Sequence, residues 1–245
     1  MCWICPPLNK RMKPTRAHNF FPEEVVTLMS DRQVDFRLQN DRESLDTPQT
    51  EYLGYCLGPI GHIASVRQIH GSDIWVVDKA AECERSWPRA DGLLTDLPGV
   101  ALSVRTADCL PIFLFDPHRR CIGLVHAGWK GSQRRVVQKA IRLMQRRYRC
   151  RPIDIRAYFG PGIRPCCYRV GQEFRNYFPK EIQHRDGFDY LDLGMVNKNQ
   201  LCQAGLPAQN IFISPICTCC CEDFFSYRRE GENTGRHLSL IMLQV

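Results

Sequence analysis

A chain of 245 residues with 44% hydrophobic and 24% charged residues has the composition of a folded domain rather than a disordered one. No apolar run reaches the roughly 18 residues a membrane helix needs, and Met1-Cys2-Trp3-Ile4-Cys5-Pro6-Pro7 lacks the basic, apolar and small-residue parts of a secretory signal, so a cytoplasmic, non-membrane protein is expected. The net charge of +7 is local: nine basic and no acidic residues run from Lys130 to Arg151, and with Tyr148 as their one aromatic companion they read as a solvated helix face, not a nucleic-acid surface. The fourteen cysteines point to reduced, mostly buried thiols, because a disulfide framework belongs to short secreted chains.

Residues 1–60 carry little pattern. Residues 34–38 read as a short strand and 41–50 as a polar loop. Regular organisation begins near Ile60. Residues 63–69 and 74–77 read as strands, with Gly71-Ser72-Asp73 supplying the turn between them. Residues 92–95 form a short strand and 100–105 the next. Residues 110–115 and 121–125, joined by Asp116-Pro117-His118-Arg119-Arg120, read as a β-hairpin whose unbroken apolar character predicts burial on both faces.

A helix is predicted over 132–147, with Ser132 as N-cap, Val136, Val137, Ala140, Ile141 and Met144 on one face and basic residues on the other. A strand over 153–159, the loop Gly160-Pro161-Gly162 and a helix over 170–178 follow. A further helix over 193–204 is capped by Asp192 and stopped by Gly205. Strands over 210–214 and 238–243 complete the set. Strands outnumber helices and there is no repeat or long linker, which favours one α+β domain with mixed sheets.

Three residues capable of holding a metal stand just past strand ends. His70 lies in Gln68-Ile69-His70-Gly71, Cys109 in Thr106-Ala107-Asp108-Cys109, and His126 in His126-Ala127-Gly128-Trp129-Lys130-Gly131. Two imidazoles and a thiolate make a three-ligand zinc site with a fourth position open, the plan of a catalytic zinc; copper also accepts such donors. Asp108, beside the thiolate, is a candidate to orient a histidine or to accept a proton. The glycine turn holding Lys130 is a candidate phosphate site, although Trp129 breaks the P-loop pattern. Arg228 and Arg229 are candidates for anion binding. Cys166-Cys167 and Cys217-Thr218-Cys219-Cys220-Cys221 are clustered, but no histidine lies at ligand spacing, and they read as buried thiols.

These motifs, with Ala90-Asp91-Gly92, Cys166-Cys167-Tyr168-Arg169-Val170-Gly171, Phe224-Phe225-Ser226-Tyr227-Arg228-Arg229 and Thr234-Gly235-Arg236, resemble the YfiH/LACC1 family. Members of that family have been called multicopper polyphenol oxidase, purine nucleoside phosphorylase and peptidoglycan editing factor. The likeness runs from about Ile63 onward. It implies a layered αββα-type fold related to cysteine hydrolases, with residues 61–245 as the catalytic domain and 1–60 as an atypical N-terminal segment of one overall domain. It also implies His70, Cys109 and His126 as zinc ligands, and activity on purine nucleosides with phosphate: phosphorolysis of adenosine, inosine and methylthioadenosine, plus adenosine deamination. The Arg-x-Gly-Gly-x-Ser and Leu-Asn-Leu-like stretches usual near the start of members are absent, with Phe36-Arg37-Leu38-Gln39-Asn40 as a remnant.

The leading expectation is therefore a zinc-dependent purine nucleoside phosphorylase with deaminase activity, using Cys109, His126, His70 and Asp108 in catalysis and Lys130 and Arg229 to bind substrate. One alternative is a hydrolase of cell-wall precursors with Cys109 as nucleophile and a histidine as base. Another is a copper-dependent polyphenol oxidase, against which stands the lack of any His-x-His pair among seven histidines. The non-enzyme alternative docks an acidic partner or nucleic acid on the basic helix.

Overall fold

The computed structural model describes residue 17 and residues 20–38, 44–58 and 60–244. The opening motif at residues 1–7, and the last two residues of the 36–40 remnant, lie outside them. In chain order the elements are β1 (Val25–Met29), α1 (Thr47–Leu57), β2 (His62–Ser65), β3 (Ile74–Val76), β4 (Gly92–Thr95), β5 (Val100–Thr106), β6 (Leu110–Asp116), β7 (Cys121–Ala127), α2 (Trp129–Gln133) and α3 (Val136–Tyr148). There follow β8 (Arg156–Phe159), β9 (Arg169–Val170), α4 (Phe174–Tyr177), β10 (Ile182–Arg185), β11 (Phe188–Leu191), α5 (Leu193–Gln203), β12 (Ile211–Ile213), α6 (Tyr227–Glu230) and β13 (His237–Leu243).

The strands make a six-stranded sheet in the order β12-β8-β6-β7-β4-β3, a four-stranded sheet β1-β13-β5-β2, and a small sheet β10-β11-β9. Both large sheets are mixed: β12–β8, β3–β4 and β2–β5 pair in parallel, the other neighbours antiparallel. Alternation along the strands assigns the side chains to layers. Leu93, Phe113, Phe115, Ile122 and Leu124 of the larger sheet meet Ala64, Leu102, Val104 and Ile241 of the smaller one in a shared core. On its other face the six-stranded sheet offers Ile112, Leu114, Val125 and Ala127 to Val137, Ile141 and Met144 of α3 and to Val196 and Leu201 of α5. The outer face of the four-stranded sheet, through Leu28, Ala101 and Leu240, packs on Leu53 of α1. The order helix, sheet, sheet, helix is the αββα arrangement, and it explains why β4 to β7 are buried along their whole length. Among the described residues no helix is long and apolar enough to cross a membrane.

The hairpin β6–β7, β5, α5 with its Asp192 cap, and the buried face of α3 lie where the sequence pattern puts them. Other expectations change. The strand read over 63–69 ends at Ser65, and β2 and β3 belong to different sheets, so 66–73 is a crossover. Residues 34–38 join no ladder; Phe36 is instead buried, its N–H donating to the Arg236 carbonyl. Within the polar 41–50 stretch, Asp46 and Gln49 form a capping box that starts α1.

The helix read over 132–147 is two. Gly128 precedes α2, Arg135 adopts φ 59° between α2 and α3, and the Ser132 hydroxyl caps nothing but accepts from Asn197 on α5. Residues 152–154 make a single 3₁₀ turn before the shorter β8. The helix read over 170–178 is the strand β9, paired with β11, and the short α4.

Candidate metal centre and cavity

Sheet register assembles the centre. In the β6–β7 ladder His126 pairs with Pro111, two residues from Cys109. On the other side of β7, the ladder with β4 ends at Gly92–Val125, and the next step brings the His126 N–H onto the Asp91 carbonyl at 2.7 Å. His126 therefore stands between Cys109 and Asp91, while the 66–73 crossover carries His70 over from the other sheet. The ligand-capable atoms of His70, Cys109 and His126 all lie within 4.8 Å of one another, and the two imidazoles meet edge to face with centroids 4.9 Å apart.

One carboxylate holds this arrangement. Asp91 Oδ1 meets His126 Nδ1 at 2.9 Å and accepts the His70 backbone N–H at 2.9 Å; Oδ2 accepts the N–H groups of Gly71 at 2.6 Å and Ile69 at 3.3 Å. His70 adopts φ 54°, which turns three consecutive N–H groups onto the one anion. With Nδ1 committed to Asp91, His126 presents Nε2 to the site. Glycine is required at 128, where a Cβ would come within 2.9 Å of Cys109 Sγ.

The electrostatics follow from burial against pairing. Burial alone would raise the Cys109 thiol, but the positive His126 and hydrogen bonds from both imidazoles bring it down to about 6. Burial alone would lower His126, yet the Cys109 charge and the Asp91 hydrogen bond push it up to about 9. Against its own burial, Asp91 is held below the ordinary carboxylate range, chiefly by the His126 hydrogen bond. These shifts favour a thiolate, an imidazolium and a carboxylate in a row, and a metal on the same donors would take the place of the proton on His126 Nε2.

The three residues line a cavity of about 690 Å3. Its walls carry the flat rings of Trp129, Tyr168 and Tyr227 and five arginines: Arg37, Arg67, Arg105, Arg228 and Arg236. Arg105 is the unusual one. It rises from the buried strand β5, is 8% exposed, and lies 4.5 Å from the Trp87 ring centroid. Its Nε donates to the Phe36 carbonyl, but both terminal nitrogens are buried without a hydrogen-bond partner, and burial brings its pKa down to about 10. Leaving both ends of a buried guanidinium fork without a hydrogen-bond partner is costly, and an anion is the kind of group that pairs with such a fork.

Of the other candidates, Asp108 lines the cavity, and Lys130 and Arg229 do not. Asp108, at φ 81°, is near the centre, but its carboxylate accepts from the Thr218 hydroxyl at 2.7 Å, the Ser226 hydroxyl at 3.1 Å and the Arg228 N–H at 2.7 Å. It ties the Cys109 turn to the 218–228 segment, and the carboxylate that orients a histidine is Asp91. Lys130 is exposed, its ammonium 5.5 Å from the Trp129 ring centroid, and does not line the cavity. Nor does Arg229, whose guanidinium binds the carbonyls of Thr218, Cys219, Cys221 and Phe224 and the Glu230 carboxylate. Sequence reasoning missed Arg105 and the orienting role of Asp91. An arginine inside the apolar run Val100 to Thr106 was the available signal for the first.

The residues fit a metal. Three donors of the types zinc accepts converge on one point, one of their histidines is oriented by a carboxylate, and a cavity adjoins them. Comparison with known proteins bears on the fold and the family. "Purine nucleoside phosphorylase YlmD" of Geobacillus stearothermophilus is 38% identical over 207 residues, covering 78% of this chain and 74% of that one. Human "Purine nucleoside phosphorylase LACC1" is 31% identical over 73% of this chain, which spans only 43% of that longer protein. The crystal structure of the Bacillus licheniformis hypothetical protein YfiH superposes with a TM-score of 0.79 at 28% identity, covering 90% of this chain and 93% of that one. The family model described as "Multi-copper polyphenol oxidoreductase laccase" matches residues 33–244, and the chain belongs to that family, known also by its YfiH and LACC1 members.

Proposed function

We propose that this chain is a zinc-dependent purine nucleoside phosphorylase acting on adenosine, inosine and methylthioadenosine. The observation that carries the reading is Arg105, which lines the same cavity as the His70, Cys109 and His126 donors and whose two terminal guanidinium nitrogens are buried without a hydrogen-bond partner. Phosphate is the anion such a fork fits bidentately. In the reaction a phosphate oxygen bonds to C1′ of the ribose, the C1′–N bond breaks, and the base leaves with a proton. Arg105, with Arg37 and Arg236 nearby, holds the phosphate charge. Trp129 and Tyr168 offer flat faces for the base. A zinc ion held by His70, Cys109 and His126 supplies Lewis acidity at the cavity wall. Asp91 fixes the His126 ring, and the cavity walls limit competing water. Adenosine deamination is the accompanying activity, with water adding at C6 and ammonia leaving; Asp108 is bound up in three hydrogen bonds and is not assigned the proton transfer.

The test pairs metal analysis with adenosine turnover in the presence and absence of phosphate. About one open-site zinc per chain and adenine release only with phosphate are expected. Arg105→Met should raise the phosphate KM about ten- to hundredfold, the scale of a hydrogen bond to a charged group. An unchanged phosphate KM in that variant sinks the reading.

A second reading rests on the row Cys109, His126, Asp91, which is also the order of nucleophile, base and orienting acid in a cysteine hydrolase. It takes cell-wall precursors as substrates. Activity in metal-free protein, abolished by alkylating Cys109, would select it. Copper on the same donors gives the polyphenol oxidase alternative, and oxygen-dependent turnover identifies it.

A further inference from the structure

The second concentration of sulfur lies away from the cavity. The segment after Gly162 and the segment after Ile216 run side by side: Gly162 bridges Cys217, and the Thr218 N–H donates to the Gly162 carbonyl. Turns on each segment then bring four cysteines together. In the first, the Cys167 and Tyr168 N–H groups fold back onto the Arg164 carbonyl; in the second, the Cys221 N–H folds back onto Cys217. The sulfur atoms of Cys166, Cys167, Cys217 and Cys220 all lie within 4.8 Å of one another, with Cys167–Cys220 at 3.3 Å and Cys166–Cys220 at 3.5 Å. All four are reduced, and none lines the cavity.

We propose that Cys166, Cys167, Cys217 and Cys220 form a closed four-thiolate site for a structural zinc ion, separate from the His70, Cys109 and His126 centre. Four sulfurs around one zinc at about 2.3 Å stand about 3.8 Å apart when tetrahedral; the observed group brackets that spacing. Cys217-Thr218-Cys219-Cys220 has the Cys-x-x-Cys spacing of a zinc knuckle. Binding releases the thiol protons and leaves no open position, which assigns the ion to construction rather than to chemistry.

Its place explains what it would build. Ile163 donates to the Asp108 carbonyl and Thr218 to the Asp108 carboxylate, so the two segments that the ion joins also hold the residue beside Cys109. Tyr168, next to Cys167, forms part of the cavity wall.

The test uses the full chain purified under reducing conditions, with zinc and then cobalt as probes, and does not depend on the reaction run at the open site. In a His70→Ala/His126→Ala variant, about one zinc per chain should remain, with four sulfur neighbours at about 2.3 Å by X-ray absorption. Its cobalt form should give the intense charge-transfer bands of tetrahedral thiolate. Cys220→Ser should lose that equivalent and melt at lower temperature, whereas Cys221→Ser should keep it. If the double variant does not fold, the wild-type average decides: about 2.5 sulfurs per zinc with both sites filled, against about one with the open site alone. Absence of a sulfur-only metal, or a chain lighter by two hydrogens with a Cys167–Cys220 disulfide, overturns the proposal.

Discussion

Two groups of metal-capable side chains lie in one quarter of this fold, linked through Asp108, and they are built on opposite plans. The first takes its donors from three places far apart in sequence, mixes nitrogen with sulfur, and opens onto an arginine-lined cavity. The second takes four sulfurs from two adjacent turns, and none of its four cysteines lines that cavity. Cysteine serves in both. What separates them is whether a carboxylate orients the ligands and whether a position is left for a substrate, and only the first group has Asp91 and a cavity.

The comparison breaks most sharply at His126. His126→Ala should cut nucleoside turnover at least about a thousandfold, the scale of losing several kcal/mol of transition-state stabilisation, and should also lower the melting temperature, because it empties a buried position and removes the side-chain partner of the buried Asp91 carboxylate. Gly128→Ala is the next largest. Its methyl would press on Cys109 Sγ, so turnover should drop about a hundredfold, as for a catalytic group displaced by an ångström; circular dichroism should show the fold retained. Asp91→Asn keeps the shape but removes the charge beside His126. A loss of about ten- to hundredfold in zinc affinity is expected, read by competition with a chelator, and an unchanged affinity would deny Asp91 its orienting role.

A last effect is on stability rather than turnover and lies at the start of β13. His237 is buried between Phe224 and Phe225, and its Nε2 accepts the Phe225 N–H at 2.7 Å. Burial lowers its pKa to about 4. Above pH ~6.5 both folded and unfolded chains keep it neutral. Below that, the unfolded chain gains a proton the folded chain refuses until about pH 4. Stability should therefore fall by about 3 kcal/mol as pH drops through this window. Urea melts of wild type and His237→Gln across it should show a shallower slope in the variant.

What could be read from sequence depended on how local the cause was. The β6–β7 hairpin, the apolar face of α3 and the Asp192 cap are set by neighbours within a few residues, and each was legible. His70, Cys109 and His126 could be picked out as candidates from the apolar runs that precede them, although β7 runs two residues further than the pattern suggests and His126 lies inside it rather than past its end. Asp91 was not legible as their common support, since its position beside His126 depends on the pairing of β4 with β7, thirty residues on. Lys130 and Arg229 had the right chemistry for phosphate but point to solvent and to backbone carbonyls. Two local signals were present and overlooked: the Asp46–Gln49 capping box before α1, and Asp186-Gly187, at φ 52° and 76°, which turns β10 into β11.

The pairing of β1 with β13 has a consequence for how the molecule comes to exist. Val25 lies opposite Leu243, and β13 sits between β1 and β5, so the smaller sheet has a gap at its centre until its last-made strand arrives. Contacts of such long sequence separation fold slowly and late. During synthesis β5 and β1 leave the ribosome with their edges bare and wait for nearly the whole chain to follow, exposed meanwhile to mispairing and to chaperones. The centre at His126 lies on the neighbouring sheet, whose inner face shares a core with Ile241 of that strand, so that core is complete only after β13 docks.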